Sequence, residues 1–249
     1  MPPQRKTPTP RERARVEFTK DIKQVARRQL AEVGAAALSL RAVARELGLS
    51  TPSALYRYFP GRDALLTALI VDSYAAVSDA AEDAARELAD RPALDRWVGI
   101  CHAVRDWALR HPHEYALLFG SPVPGYAAPQ DTVPPGTRVP FLLGALFMPA
   151  GQAPDGSPGT PAGPPPGSAA DGAAVPAATR RALAPLLERL PPGVPADRVV
   201  SGLIAWTYLF GAVSFEVFGH RSAIVAEPRV FFDHEIRRLG ALLGLAGAP

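Results

Sequence analysis

Apolar residues recur at helical spacing along almost the whole chain, and no stretch of any length alternates apolar and polar positions as a half-buried strand would. The pattern predicts an all-α protein. Phe18, Ile22, Val25, Ala26, Leu30 and Val33 share one face of a first helix, with Lys20, Lys23, Arg27 and Arg28 largely outside that stripe. Gly34 ends it. Ser39 stands where it can cap a short second helix whose inward face is Val43, Ala44 and Leu47, and Gly48 supplies the left-handed residue that closes it. Ser50 or Thr51 caps a third helix, with Pro52 in the first turn, where a missing N–H costs nothing. There Leu55 and Phe59 face inward, and Ser53, Ala54 and Arg57 face out.

Pro60-Gly61 breaks the chain before a long fourth helix from about Arg62 to Leu88. A fifth starts at Pro92 and carries Leu94, Trp97, Val98, Cys101, Val104 and Ala108. A short sixth spans about His113–Phe119. Residues 121–140 are proline-rich, and Phe141–Phe147 reads as one more short apolar helix. Residues 149–178 hold 8 Pro and 6 Gly, and Val175 is their one large aliphatic side chain, so nothing offsets the entropy of ordering them and a disordered loop is expected. A helix at Ala177–Leu190 precedes two long ones, Pro195–Phe218 and Arg229–Leu243. Within these, Val199–Phe215 has no charge over 17 positions. That stretch reaches roughly 25 Å, short of a hydrocarbon core of about 30 Å, and it contains Gly202 and Gly211, so burial by protein is expected and a membrane span is not.

At 249 residues and 47% hydrophobic, the chain can bury a sizeable core. Its single cysteine excludes a disulfide scaffold and any multi-cysteine metal site, and Met1–Lys6 lacks the apolar core of a signal peptide. A reducing, cytoplasmic setting is expected. Net charge is only +3, but residues 1–62 hold 13 Lys or Arg against 5 acids, a net +8 that leaves the remainder at −5. A basic head on an acidic body points to a polyanionic partner for the head alone. Residues 1–16, with Pro2, Pro3, Pro8 and Pro10, read as a flexible basic arm.

Catalysis and metal binding find little support. Cys101 and His102 are adjacent, and neighbours on a helix point about 100° apart, whereas a nucleophile needs its base within hydrogen-bond reach. Cys101 falls on the apolar stripe, where it reads as a small buried hydrophobe. Neither His111 and His113 nor Asp233-His234-Glu235 repeats at the spacing of a helical metal pair. No enzyme activity, cofactor or metal is expected.

The strongest signal is the stretch 40–59. Two short helices meet at Leu47-Gly48-Leu49-Ser50, the spacing of a helix-turn-helix, with small Ala44 permitting close approach and small polar residues opening the second helix. In such a unit the second helix enters the major groove. With Leu55-Tyr56-Arg57-Tyr58-Phe59 and then Arg62, Leu65 and Leu66, residues 18–75 resemble the DNA-binding domain of TetR-family (tetracycline-repressor-type) transcriptional regulators.

The resemblance implies roles. Ser39 and Arg41 lie near phosphates, Ser50 in the turn, and Thr51, Ser53 and Ala54 on the groove face, Ala54 standing where many members have glycine. Tyr56 and Tyr58 match the family's phosphate-contacting aromatics, and Arg62 replaces a usual phosphate-binding lysine. The implied division is a DNA-binding domain at 17–62 and a helical effector-binding and dimerisation domain at 63–249. In the latter, the segment from His111 to Pro122, with Ala205-Trp206 and Gly211, resembles a regulatory domain of the family named for a Trp, a His and a Gly. Phe210 stands where the signature histidine would fall, so a role specific to that histidine is not expected here.

The implied protein is a homodimer on a pseudo-palindromic operator, a repressor released by a small apolar or amphipathic effector. The alternative is an architectural or partner-regulated DNA-binding protein without such an effector. Candidate effector-binding residues are Trp97, Cys101, His102, Arg105, Tyr115, Phe119, Trp206 and Phe210, the two polar ones because they lie close to the apolar face of the fifth helix. The last two long helices are expected to make the dimer, because Val199, Val200, Leu203, Ile204, Trp206, Leu209, Phe210, Val213, Phe215 and Val217 cover more than one face. Leu209 lies near the middle of that expected interface, and Gly202 and Gly211 would admit a partner helix.

Overall fold

A capping box sets the start of the first helix. Thr9 accepts from the Glu12 backbone N–H, the Glu12 carboxylate accepts from the Thr9 N–H at 2.7 Å, and Pro10 takes the first helical position. Helix α1 therefore runs Pro10–Val33, two turns earlier than the apolar stripe announces, and residues 10–16 of the expected flexible arm are helical. The computed structural model describes residues 9–147, 175–190 and 194–246 of the protein. Among these are ten α-helices and no strand, as the periodicity predicts. Residues 1–8 of the expected arm and 149–174 of the expected loop lie outside the described residues.

The described residues fall into two compact units, within 1–73 with 112–132 and within 74–111 with 133–249, so the boundary between the units lies inside a helix. In the first unit Gly34 (φ 73°) ends α1, and α2 spans Leu40–Glu46. At its end Gly48 (φ 72°) turns the chain in the left-handed region that favours glycine, and the Leu49 N–H reaches back to the Ala44 carbonyl at 2.9 Å. The expected third helix is a short 3₁₀ helix, Pro52–Arg57. Ser39 and Thr51 occupy the caps, but neither side chain caps its helix, and the Thr51 hydroxyl instead meets that of Ser53 at 2.8 Å. Ile22, Val25, Ala26, Leu30, Val43, Ala44, Leu55, Phe59, Leu65, Leu66 and Leu69 make one core under this motif. The last three come from α3 (Arg62–Glu87). Val33, expected on the inner face, is 54% exposed because it follows the last turn that packs. Helix α5 (Pro112–Phe119) packs on α1 within this unit.

The second unit packs α4 (Ala93–Arg110) against α10 (Pro228–Leu242) and α6 (Val133–Ala145) against α9 (Ala196–Val217), with α7 (Ala177–Ala182) and α8 (Ala184–Leu187) between α6 and α9 in sequence. Helix α6 begins eight residues before the expected Phe141, because Pro134 and Pro135 fall in its first turn. Two glycines set close approaches. A Cβ on Gly240 of α10 would lie 2.7 Å from Trp97 Cδ1, and one on Gly202 of α9 would lie 3.4 Å from Gly144 Cα of α6. Gly202 thus serves the protomer's own packing and not a partner helix. Leu209 is likewise fully buried in its own unit and cannot centre an interface.

Helices α3 and α9 are long and apolar enough to cross a membrane. The 17-residue stretch understated α9, whose 22 residues reach about 33 Å. Its Val199, Gly202, Ala205, Leu209, Ala212 and Val213 are buried by protein.

Candidate nucleic-acid interface and effector site

The head's positive charge is not all available to a partner. Lys23 and Arg27 bind the Asp72 carboxylate at 2.8 and 3.0 Å, Arg27 also reaches Glu114 of α5 at 3.2 Å, and Arg28 pairs with Glu46. Lys20 pairs with Glu17. Arg11, Arg13, Arg15, Arg41, Arg45 and Arg57 are the head's described arginines that form no ion pair among the described residues. Most of the unneutralised charge therefore lies on the start of α1 and on the helix-turn-helix.

Thr51, Ser53, Tyr56 and Arg57 are exposed on the 3₁₀ helix and the turn before it, while Leu55 and Phe59 anchor its other side. Ser50 and Arg41 are exposed, and Ser39 and Ala54 half-buried. The segment is a six-residue 3₁₀ helix, Pro52–Arg57, with the turn before it. Arg57, absent from the expected contacts, is exposed and forms no ion pair among the described residues.

Two expected phosphate contacts sit differently. The ring of Tyr58 is met edge-on by Phe18 at 5.1 Å, and the Arg15 guanidinium lies over it at 5.6 Å. Arg62 donates through Nη2 to the carbonyls of Ala35 and Ala36, both at 3.0 Å, and approaches Asp63 at 3.6 Å. A single amino group that satisfies two carbonyls of the turn between α1 and α2 is a strut for the head. No sequence spacing signals that contact.

The expected effector residues divide between the units. Tyr115 and Phe119, 5.0 Å apart, belong with the head, and the other six with the second unit. Trp97 is fully buried and donates to the Ile236 carbonyl at 2.7 Å. Cys101 is fully buried, and burial pushes its thiol well above the usual range, where it is no nucleophile. His102 Nε2 lies 3.0 Å from Asp233 Oδ1. Asp233 is held below the usual carboxylate range chiefly by its hydrogen bond from Arg237, with His102 adding to the effect against the cost of burial. Arg105 grips both oxygens of Glu216 and lies 5.5 Å over the Phe232 ring. The two polar candidates thus bolt α4 to α10 and α9. Trp206 and Phe210 meet edge-on along α9, at 6.4 Å.

A cavity of about 90 Å³ that sequence reasoning missed lies where α9 meets α10, lined by Glu216, Arg221, Phe231, Phe232 and Glu235 among others. That is small beside the roughly 300–1,000 Å³ of pockets that take drug-sized molecules. Among the described residues there is no cluster of three or more potential metal ligands.

Comparison with known proteins agrees with this anatomy. Residues 22–69 match the family described as bacterial regulatory proteins, tetR family, and residues 97–239 match the tetracyclin repressor-like C-terminal domain. The chain is 39% identical over 236 residues to the HTH-type transcriptional regulator Rv1816 of Mycobacterium tuberculosis, covering 92% of this chain and 94% of that one. Among solved structures, the regulatory protein SCO4313 is similar at a TM-score of 0.73 and 31% identity, over 93% of this chain and 98% of that one. A tetR-family regulatory protein from Rhodococcus RHA1, at 15% identity and a TM-score of 0.56 over 92% of this chain and 97% of that one, shares the fold. The chain belongs to the TetR family. It is a DNA-binding transcriptional regulator and not an enzyme.

Proposed function

We propose that the protein is a cytoplasmic, homodimeric repressor whose hold on a two-fold operator is released by a small apolar or amphipathic effector bound in the C-terminal domain. Thr51, Ser53 and Ala54 read base edges, while Ser39, Arg41, Ser50, Tyr56 and Arg57 position the head on phosphates. Tyr58 and Arg62 hold the reading segment in place, the first under Arg15 and the second on the carbonyls of the α1–α2 turn. Helices α9 and α10 make the dimer, and aromatics such as half-buried Trp206 and buried Phe210 favour an apolar effector.

The observation that carries the release step is Glu114. Helix α5 lies within residues 97–239, matched by the C-terminal family domain, yet its Glu114 accepts from Arg27 of α1 at 3.2 Å and from the Ser73 hydroxyl at 3.1 Å. A shift of α5 on effector binding therefore acts directly on the helix that carries the head, and the effector's differential affinity for the two positions becomes a change in operator affinity.

The test pairs a thermal-shift screen of small apolar and amphipathic compounds with operator binding. A true effector stabilises the chain by about 2.7 kcal/mol at a hundred times its Kd and releases DNA. In Glu114→Gln the same compound should still stabilise the chain but release DNA far less. Stabilising compounds that leave operator affinity unchanged would favour the architectural or partner-regulated reading.

A further inference from the structure

The capping box at Thr9–Glu12 carries α1 beyond the head's core, and the residues it adds follow a pattern. Arg11, Arg15, Phe18 and Ile22 recur at intervals of four, three and four, so they share one face of the helix. At Ile22 that face is fully buried in the head. At Phe18 it meets the ring of Tyr58, the residue that ends the reading segment, and at Arg15 it sets a guanidinium over the same ring. One turn further out it presents Arg11, about 10 Å along the axis from Phe18.

The acids nearby do not neutralise this face. The Glu12 carboxylate is committed to the Thr9 N–H, and Glu17 points to the reverse side, paired with Lys20 at 2.8 Å. Arg11 and Arg15 are exposed and form no ion pair among the described residues.

We infer that Arg11 and Arg15 form a second, phosphate-binding edge of the DNA interface, joined to the reading segment through Tyr58. The inference rests on the DNA-binding reading of the helix-turn-helix. The Tyr58 ring fixes where Arg15 stands, so that the first turns of α1 meet the duplex backbone beside the half-site when Thr51 and Ser53 enter the groove. These contacts add affinity and register but no base preference. Arg13 lies on the opposite face of α1 and takes no part, although it carries the same charge.

The experiment uses the full chain and the duplex it enriches from a random pool, with binding followed by fluorescence anisotropy across a salt series. R11Q/R15Q should keep the wild-type helicity, melting temperature and base preference, and its plot of log affinity against log salt should be shallower by about 2 for each head bound. R15K should restore most of the slope lost in R15Q, and R13Q should match the wild type. An unchanged slope in a folded R11Q/R15Q overturns the inference, as does an equal loss in R13Q, which would make net charge and not geometry the cause. Failure of the wild type to enrich any duplex would overturn the underlying reading as well.

Discussion

Arg105→Ala is expected to destabilise the second unit by about 3–5 kcal/mol, because it strands a carboxylate in the core. Arg105 and Glu216 have side chains only 7% and 15% exposed, and the guanidinium fork takes both carboxylate oxygens. Each charge has been withdrawn from water, and each is tolerable only because the other is present. For a chain of this size the loss corresponds to a drop of roughly 6–20 °C in melting temperature. Arg105→Met combined with Glu216→Leu removes both charges and keeps most of the volume, so it should melt well above Arg105→Ala. A scan in which the double variant fares no better would show that the stranded charge is not what the single variant suffers from.

Ile204→Arg is expected to give a folded monomer whose operator affinity is lower by about two orders of magnitude or more, since one head alone holds only a half-site. Ile204, Phe215 and Phe218 on and just after α9, and Val230, Phe231 and Leu242 on α10, are large hydrophobics between 40% and 77% exposed. Ile204, Gly211, Phe215 and Phe218 fall on one face of α9, and a Cβ on Gly211 would meet nothing within 4 Å. Exposed apolar residues on two neighbouring helices are what an isologous four-helix contact would cover. Light scattering decides the matter. A soluble dimer of unchanged mass would place the interface elsewhere.

Much of the head was legible because its signals are local. Gly34 and Gly48 mark the two positions of positive φ that end α1 and α2, and Leu55 and Phe59 are buried as their spacing predicts. The start of α1 was written in the sequence too, as Thr9-Pro10-Arg11-Glu12, but the surrounding prolines masked it. Helix α6 was shortened because Pro134 and Pro135 in its first turn and Pro140 inside it all read as breakers.

What spacing could not convey is partnership across the chain. Arg105 finds Glu216 at a separation of 111 residues, and His102 finds Asp233 at 131. Both therefore read as polar groups free to meet an effector. Leu209 and Gly202 read as interface residues because a helix apolar on several faces does not reveal which face its own core uses. Arg62 matched a phosphate-binding position by type, while its hydrogen bonds to Ala35 and Ala36 depend on how the first turn folds back.

The central point is that two copies of the head read a two-fold site through Thr51 and Ser53. Selection of bound duplexes from a random pool tests it directly, run in parallel on the wild type, Thr51→Ala, Ser53→Ala and Tyr56→Phe. The wild type should enrich an inverted repeat with half-site centres about one helical turn, roughly 34–36 Å, apart. Tyr56→Phe should enrich the same sequence with weaker binding, whereas Thr51→Ala and Ser53→Ala should relax the preference at particular base pairs within each half-site. Enrichment of a site without two-fold symmetry, or a base preference untouched by both Thr51→Ala and Ser53→Ala, would contradict it.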